Sequence, residues 1–363
     1  MNYRMTTLWP RKQYLADITE IIEINLKDPI SQLVISYESD NNPVGADATA
    51  HPAKCITKIE IVDGSNVLIS MSGQEAQALD FYHTEHEPAN FFRYLLGNYH
   101  QMIYKINFGR TPYDAMLALD PKKFNNLQMR VTIDIDGGGD EANDGYLTVI
   151  AHVFDQKVIS PIGFLSAKQV KSYTMTNAGH EYTDLPTDAI YKQILLKSQR
   201  YGTGPGAQVD TVKLEEDNSK RVIVDHTMND IIRALNSMWK PYREWIIGWG
   251  QVAAQYFYCT PCSRVAISGS PWRSASLASG VVFYSGSGGR FQTSQELAGP
   301  NWQALIEGRC PHAAVPLLPK FSDDIEDWYD VKDVGNLRLD VLGAAAVGAS
   351  QTSEVVIQQL RKY

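Results

Sequence analysis

Residues Lys58–Tyr82 read KIEIVDGSNVLISMSGQEAQALDFY, and residues Val212–Met238 read VKLEEDNSKRVIVDHTMNDIIRALNSM. Each has a short alternating segment, a polar turn, a second apolar run and a helix start. Alternation at period two predicts a strand on each side of the turn. Ser72 with Glu75 fits a capping box, in which the hydroxyl accepts the third helical amide and the acid returns to the cap amide. Thr227 with Asp230 is the shorter acidic variant, 155 residues later. Behind the caps, Ala76, Leu79 and Tyr82 match Ile231, Ala234 and Met238 at helical spacing.

A second pair of segments follows in the same order. Leu119–Val131 (LDPKKFNNLQMRV) parallels Tyr329–Val341 (YDVKDVGNLRLDV), with Asp120/Asp330, Lys122/Lys332, Asn126/Asn336, Leu127/Leu337 and Val131/Val341 identical. Composition alone explains one such match. Two matches in one order, with matching caps, point to a duplication. The offset grows from 155 to 210 residues, so the second copy carries an insertion of 55 residues before the strand near 329.

Seven or eight short strands and one helix per copy predict an all-β chain of two tandem antiparallel eight-stranded jelly rolls, each with a flanking helix. The expected boundaries are an N-terminal arm at 1–17, a first roll at 18–182 and a second at 183–363. The polar, Pro-containing Gly179–Thr187 reads as the link. The insertion, at about 240–320, is Trp-rich: Trp239, Trp245, Trp249, Trp272 and Trp302 are five of the seven tryptophans.

The composition narrows the function. The 363 residues carry a net charge of −8, which disfavours a dedicated nucleic-acid binder. Charged residues at 20% and aromatics at 10% are wrong for a disordered chain. No run reaches the ~20 apolar residues of a membrane span. The N-terminus has no apolar export signal, and four cysteines make no disulfide framework.

The sequence holds no motif that assembles an active site. Gly202–Gly206 and Gly286–Gly289 do not open helices in strand–helix units, so they read as surface loops. His83 and His86, at helical spacing, offer two metal ligands without a third; a favourable contact with the helix C-terminus is the simpler reading. Cys259, Cys262, Cys310 and His312 have the residue types of a zinc site but loose spacing, and buried thiols or a disulfide are favoured. Asp134, Asp136 and Asp140 lack the glycine and terminal glutamate of a calcium loop. There is no His-x-His pair and no Gly-x-Ser-x-Gly elbow. No cofactor and no catalytic residue is expected.

The repeat, the insertion and several segments together are similar to a known family. Ile106-Asn-Phe-Gly-Arg110 with Asp114, Asp184-Leu-Pro-Thr-Asp188 leading into Tyr191–Leu196, and the ending Val355–Tyr363 resemble segments of the double jelly-roll major capsid proteins. That lineage includes adenovirus hexon and the coat proteins of tailless, membrane-containing viruses of bacteria and archaea. The resemblance spans residues 18–363. It implies a homotrimer with a pseudo-hexagonal outline in an icosahedral shell. The implied partners are neighbouring capsomers, minor capsid or penton proteins and an internal viral membrane, with no sequence-specific nucleic acid. The implied place is the virion capsid, after assembly in the host cytoplasm.

Arg4, Arg11 and Lys12 precede the first acid, Asp17, with Trp9 and Tyr14 beside them. Cations with aromatics suit an anionic headgroup layer, so this arm is expected to contact a membrane or a neighbouring capsomer. The competing readings are a carbohydrate-binding module, or a glycan-hydrolysing or metal-dependent enzyme on a duplicated jelly roll.

Overall fold

The computed structural model describes every residue except 42–47, 140–141, 251–254, 272–280, 296–298 and 348–351. In the first half the elements are β1 (Tyr3–Tyr14), β2 (Ile18–Glu23), β3 (Ile30–Asn41), β4 (Ile56–Asp63), β5 (Asn66–Met71), α1 (Gly73–Thr84), β6 (Phe92–Tyr94), β7 (Asn98–Asn107), β8 (Leu127–Ile133) and β9 (Gly145–Phe154). The second half opens with β10 (Gly163–Thr174), β11 (His180–Leu185), β12 (Ile190–Ser198), β13 (Val209–Glu216), β14 (Arg221–Thr227) and α2 (Met228–Ala234). The insertion holds β15 (Tyr242–Gly250), β16 (Gln255–Tyr258), β17 (Pro261–Pro271), β18 (Val281–Ser287), β19 (Arg290–Gln295) and β20 (Gly299–Pro311). The chain ends with β21 (Ala314–Pro316), β22 (Leu337–Gly343) and β23 (Thr352–Lys362).

The sheet order repeats. The first half has sheets β1-β9-β3-β7 and β2-β8-β4-β5; the second has β10-β23-β12-β21 and β11-β22-β13-β14. With β6 and the insertion set aside, both halves read first-eighth-third-sixth and second-seventh-fourth-fifth. This is the jelly-roll order, made twice. One sheet of each half joins into a single eight-stranded sheet, through a parallel bridge between Ser70 of β5 and Lys168 of β10. One hydrophobic core runs through both rolls.

This topology moves the boundaries expected from sequence. Residues 3–14, read as a separate arm, are the first strand of the first roll and pair antiparallel with β9 from Tyr3↔Phe154 to Tyr14↔Gly145. The segment 163–174, assigned to the first roll, pairs along its length with β23 and opens the second. The division therefore falls in 155–162. Gly179–Thr187, read as the link, contains β11, which pairs with β22. Polar residues hid that strand, because only Thr183 and Leu185 of its six residues are buried.

Both helix caps form. The Ser72 hydroxyl accepts the Glu75 N–H at 3.3 Å, and the Glu75 carboxylate accepts the Ser72 N–H at 2.6 Å. The Thr227 hydroxyl accepts the Asp230 N–H at 3.2 Å. Gly73 opens α1 because a Cβ there would stand 2.6 Å from the Tyr104 ring. The helix α1 is buried on every side from Gly73 to Tyr82, which its 76-79-82 spacing did not predict. The second half supplies the extra cover, from β21 and from the residue run after α2: the Tyr82 hydroxyl donates to the Ala314 carbonyl (2.8 Å), and the Trp239 indole donates to the Tyr82 carbonyl (2.9 Å).

The insertion is built as two further sheets, β17-β20-β15-β6 and β16-β19-β18. The first takes β6 from the first roll as its edge, so the insertion is stitched to both rolls. Trp302 is its centre, fully buried among Phe257, Phe283 and Phe291. Trp239 is buried, Trp245 is exposed, and Trp272 lies outside the described residues. The two Gly-rich segments pack together, the Gly202 N–H donating to the Ser287 carbonyl at 3.0 Å.

Candidate functional site

The residues singled out at the N-terminus are tied into the first roll. Arg4 contacts Asp28 at 2.8 Å and Asp155 at 3.2 Å. Arg11 pairs with Glu38 at 2.7 Å and lies 3.5 Å over the centre of the Tyr146 ring. Lys12 pairs with Glu20 at 2.8 Å, 5.1 Å from the rings of both Trp9 and Tyr14. The Trp9 indole donates to the Tyr14 hydroxyl (3.1 Å), which donates to Glu20 (2.8 Å). Each cation therefore already faces a carboxylate from outside β1. The basic character of residues 1–16 is a property of the sequence that folding neutralises locally.

The same region has an open edge. Among the described residues β1 pairs only with β9, and β2 only with β8, so both are edge strands of their sheets. They are consecutive, and Lys12 and Tyr14 of β1 both reach Glu20 of β2. Apolar residues on the two strands and the turn between them include Met5 (70% exposed), Leu15 (71%) and Ile21 (51%), with Ile18 also exposed. Edge strands with unpaired backbone groups and apolar side chains are templates for a neighbouring chain.

The zinc candidates are buried but do not converge as ligands. The Cys259 thiol donates to the Pro261 carbonyl, and the Cys262 thiol faces the Gln199 side chain and the Thr260 carbonyl, all at 3.5 Å. The His312 Nε2 lies 2.8 Å from the Gln77 side-chain oxygen. Burial pushes the Cys262 thiol up to about 12 and raises Cys259 and Cys310 as well, so none is poised as a thiolate. Among the described residues no group of three or more His, Cys, Asp or Glu is placed to hold a metal. All four cysteines are free and buried, the packed-thiol alternative of the two readings.

The other candidates also separate. The helix α1 ends at Thr84 and Glu85 is left-handed, so His86 leaves the helical face on which His83 lies. His83 Nε2 contacts the Arg110 carbonyl at 2.7 Å, and burial lowers its pKa. A neutral His83 removes the expected charge–dipole contact. Asp136 accepts the Ala142 N–H at 3.3 Å, while Asp140 lies outside the described residues.

A buried polar network, absent from the sequence reading, fastens the insertion to the first roll. His51 Nδ1 accepts the Ala53 N–H at 3.0 Å, so its proton sits on Nε2, 3.1 Å from the Thr260 hydroxyl. Thr260 donates its hydroxyl (2.7 Å) and its N–H (2.6 Å) to the two oxygens of Glu244. The ring of His312 stands 4.8 Å from that of His51. Burial pushes Glu244 up to about 7 and His51 down to about 3. The hydroxyl donates to the carboxylate rather than to the imidazole, and Thr260 is fully buried. This geometry suits a structural joint, not a nucleophile and base. The separations of 209 and 235 residues left no local signal.

Comparison with solved structures identifies the fold. A chain of the Sulfolobus Turreted Icosahedral Virus structure matches with a TM-score of 0.60 and 9% identity, over 99% of this chain and 90% of that one. The crystal structure of the STIV MCP matches at 0.58 and 10% identity, over 100% and 98%. The major capsid protein P2 of bacteriophage PM2 matches at 0.54 and 11% identity, over 99% and 98%. No protein-family model and no curated protein matches the chain in sequence. The chain therefore has the double jelly-roll fold of these coat proteins from end to end.

Proposed function

We propose that the chain is the major capsid protein of an icosahedral virus and builds its shell from pseudo-hexagonal homotrimers. The repeated sheet order carries this reading: one chain supplies two similar rolls fused through a continuous sheet. Three such chains around a threefold axis put six similar rolls in one ring, and closed cyclic symmetry is the usual route to such a unit. The end-to-end match to coat proteins supports the same reading. The partners are further capsomers and minor capsid or penton proteins, and the place is the virion, after assembly in the host cytoplasm.

The open edge of β1 and β2 is the contact we assign to a neighbouring copy of this chain. Of the two partners expected for residues 1–17, a subunit fits better than a lipid layer, because Arg4, Arg11 and Lys12 already face carboxylates. A structural role also accords with the closed His51–Thr260–Glu244 joint.

One observation favours recognition of a surface glycan by the insertion as a second role. Tyr256 and Tyr284 both stand opposite Gln292 across the three-stranded sheet and both are partly exposed, with the Arg290 guanidinium 4.1 Å over the centre of the Tyr256 ring. Aromatic faces flanking an amide suit a sugar ring. Loss of cell-surface glycan binding in Tyr256→Ala/Tyr284→Ala, with trimers intact, is the result expected; unchanged binding rejects this role.

Native mass spectrometry with electron microscopy of particles tests the main reading. A species of three 40.6 kDa chains, recovered from shells, is the expected result. A monomer that persists at high concentration and is absent from particles overturns it.

A further inference from the structure

Both chain termini meet the connection between the rolls. The Gln156 N–H donates to the Met1 carbonyl, and at the other end of 155–162 Gly163 pairs with Lys362. Beside this point, where β10, β23 and the start of β12 adjoin, lies a cleft of about 570 Å³. Its lining includes Lys168, Lys332, Arg361 and Lys362, and Asp188 is the single acid there. Lys332 is held by Asp330 at 3.0 Å. Among the described residues no carboxylate lies within ion-pair distance of Lys168, Arg361 or Lys362. Lys168 is partly buried, and burial together with the nearby Arg361 lowers its pKa.

We infer that this cleft binds a phosphate-bearing anion. Four cations gathered around one lining acid, Asp188, with Asp330 beside Lys332 and Lys362, leave an excess of like charge whose free-energy cost a bound anion recovers. The guanidinium of Arg361 offers the planar fork that matches two phosphate oxygens, and the ammonium groups add point charges. A phosphate monoester carries about −1.5 to −2 charges and a diester headgroup about −1, each spread over oxygens that several cations can share. The volume is that of one small ligand or headgroup. It is a compact hollow in an acidic protein, not the extended basic stripe that a nucleic-acid strand requires.

The source of the phosphate is either a soluble compound or a phospholipid headgroup, and one experiment separates them. Full-length protein is titrated with inorganic phosphate by calorimetry. It is also floated with vesicles of phosphatidylglycerol or of phosphatidylcholine. Lys168→Gln/Arg361→Gln is compared with wild type, and Lys213→Gln serves as a distant control. The expected result is binding of phosphate, of phosphatidylglycerol vesicles or of both, weakened at least about tenfold in the double variant and unchanged in the control. Phosphate alone assigns a soluble ligand; anionic vesicles alone assign a headgroup. Absence of both from the wild type, equal flotation with phosphatidylcholine, or equal binding by the double variant overturns the inference. If the double variant does not fold, Arg361→Lys decides: it keeps the charge and loses the fork, and unchanged binding by it overturns the site.

Discussion

Asp63 and Asp217 make the same clamp in the two rolls. One oxygen of Asp63 accepts the N–H groups of Asn125 and Asn126, at 3.1 and 2.8 Å. One oxygen of Asp217 accepts those of Gly335 and Asn336, at 2.9 and 3.0 Å. Each aspartate sits at the turn between the fourth and fifth strands of its roll and holds the chain entering the seventh. Asp63→Ala or Asp217→Ala should each cost about 1 kcal/mol, since the freed amides are largely solvated. Urea unfolding monitored separately for each variant checks this. A loss in one roll and none in the other would show that the clamps are not equivalent.

Thr260 is the hinge of the buried joint. Thr260→Val keeps the shape but leaves the His51 Nε2–H and one Glu244 oxygen without their partner. The expected loss is about 2–3 kcal/mol, because the orphaned groups are buried. Chemical denaturation measures it, and a loss under 0.5 kcal/mol (roughly the noise of a surface change) would mean that the network is not fastened through this hydroxyl.

Acid should loosen the same joint. His51 titrates at about 3 in the fold and His312 is also lowered, against 6.5 for the ordinary side chain. Below pH 6.5 the unfolded chain thus binds more protons, and the histidines' contribution is lost as pH falls. Glu244 acts in the opposite sense: raised to about 7 from 4.5, it contributes stability at low pH that is lost as pH rises through 7. Between 4.5 and 6.5 the two histidines outweigh the one carboxyl within this network. His312→Gln should therefore flatten the dependence of unfolding free energy on pH in that window by about 1.4 kcal/mol per pH unit, one proton's worth. An unchanged slope in urea titrations across the window would remove His312 from the account.

The β1–β2 edge should be separable from folding. Met5→Lys/Ile21→Lys places charges on two exposed positions, so the monomer's circular dichroism and melting should stay as in wild type. Native mass spectrometry should show the trimer or higher assembly reduced at least about tenfold, since the contact would then bury unpaired lysine charges. Assemblies of wild-type abundance would place the contact elsewhere.

The thiols should be silent until the chain unfolds. All four are buried, and burial favours the unreactive protonated form. Reaction with an aromatic disulfide reagent should be slow in buffer and rapid in denaturant, with chelators leaving both rates unchanged. A chelator-dependent burst would restore the metal reading of Cys259, Cys262, Cys310 and His312.

Local physics was legible in the residues. The caps at Ser72 and Thr227, the polar turns and the two spaced repeats report interactions within a few positions, so the duplication and the all-β class follow from the sequence. Asn66–Met71 is a strand over the span its alternation marks. What sequence hid were strands whose burial comes from partners far along the chain. β1 carries Pro10 and three cations on an edge that buries little, and β10 and β11 lack clean alternation. Pairing with β9, β23 and β22 made them strands. Only tertiary structure brought His51 to Thr260, across 209 residues, and Lys168 to Arg361 in one cleft. Desolvation and charge proximity depend on where the backbone folds back, and no periodicity in the sequence encodes that meeting.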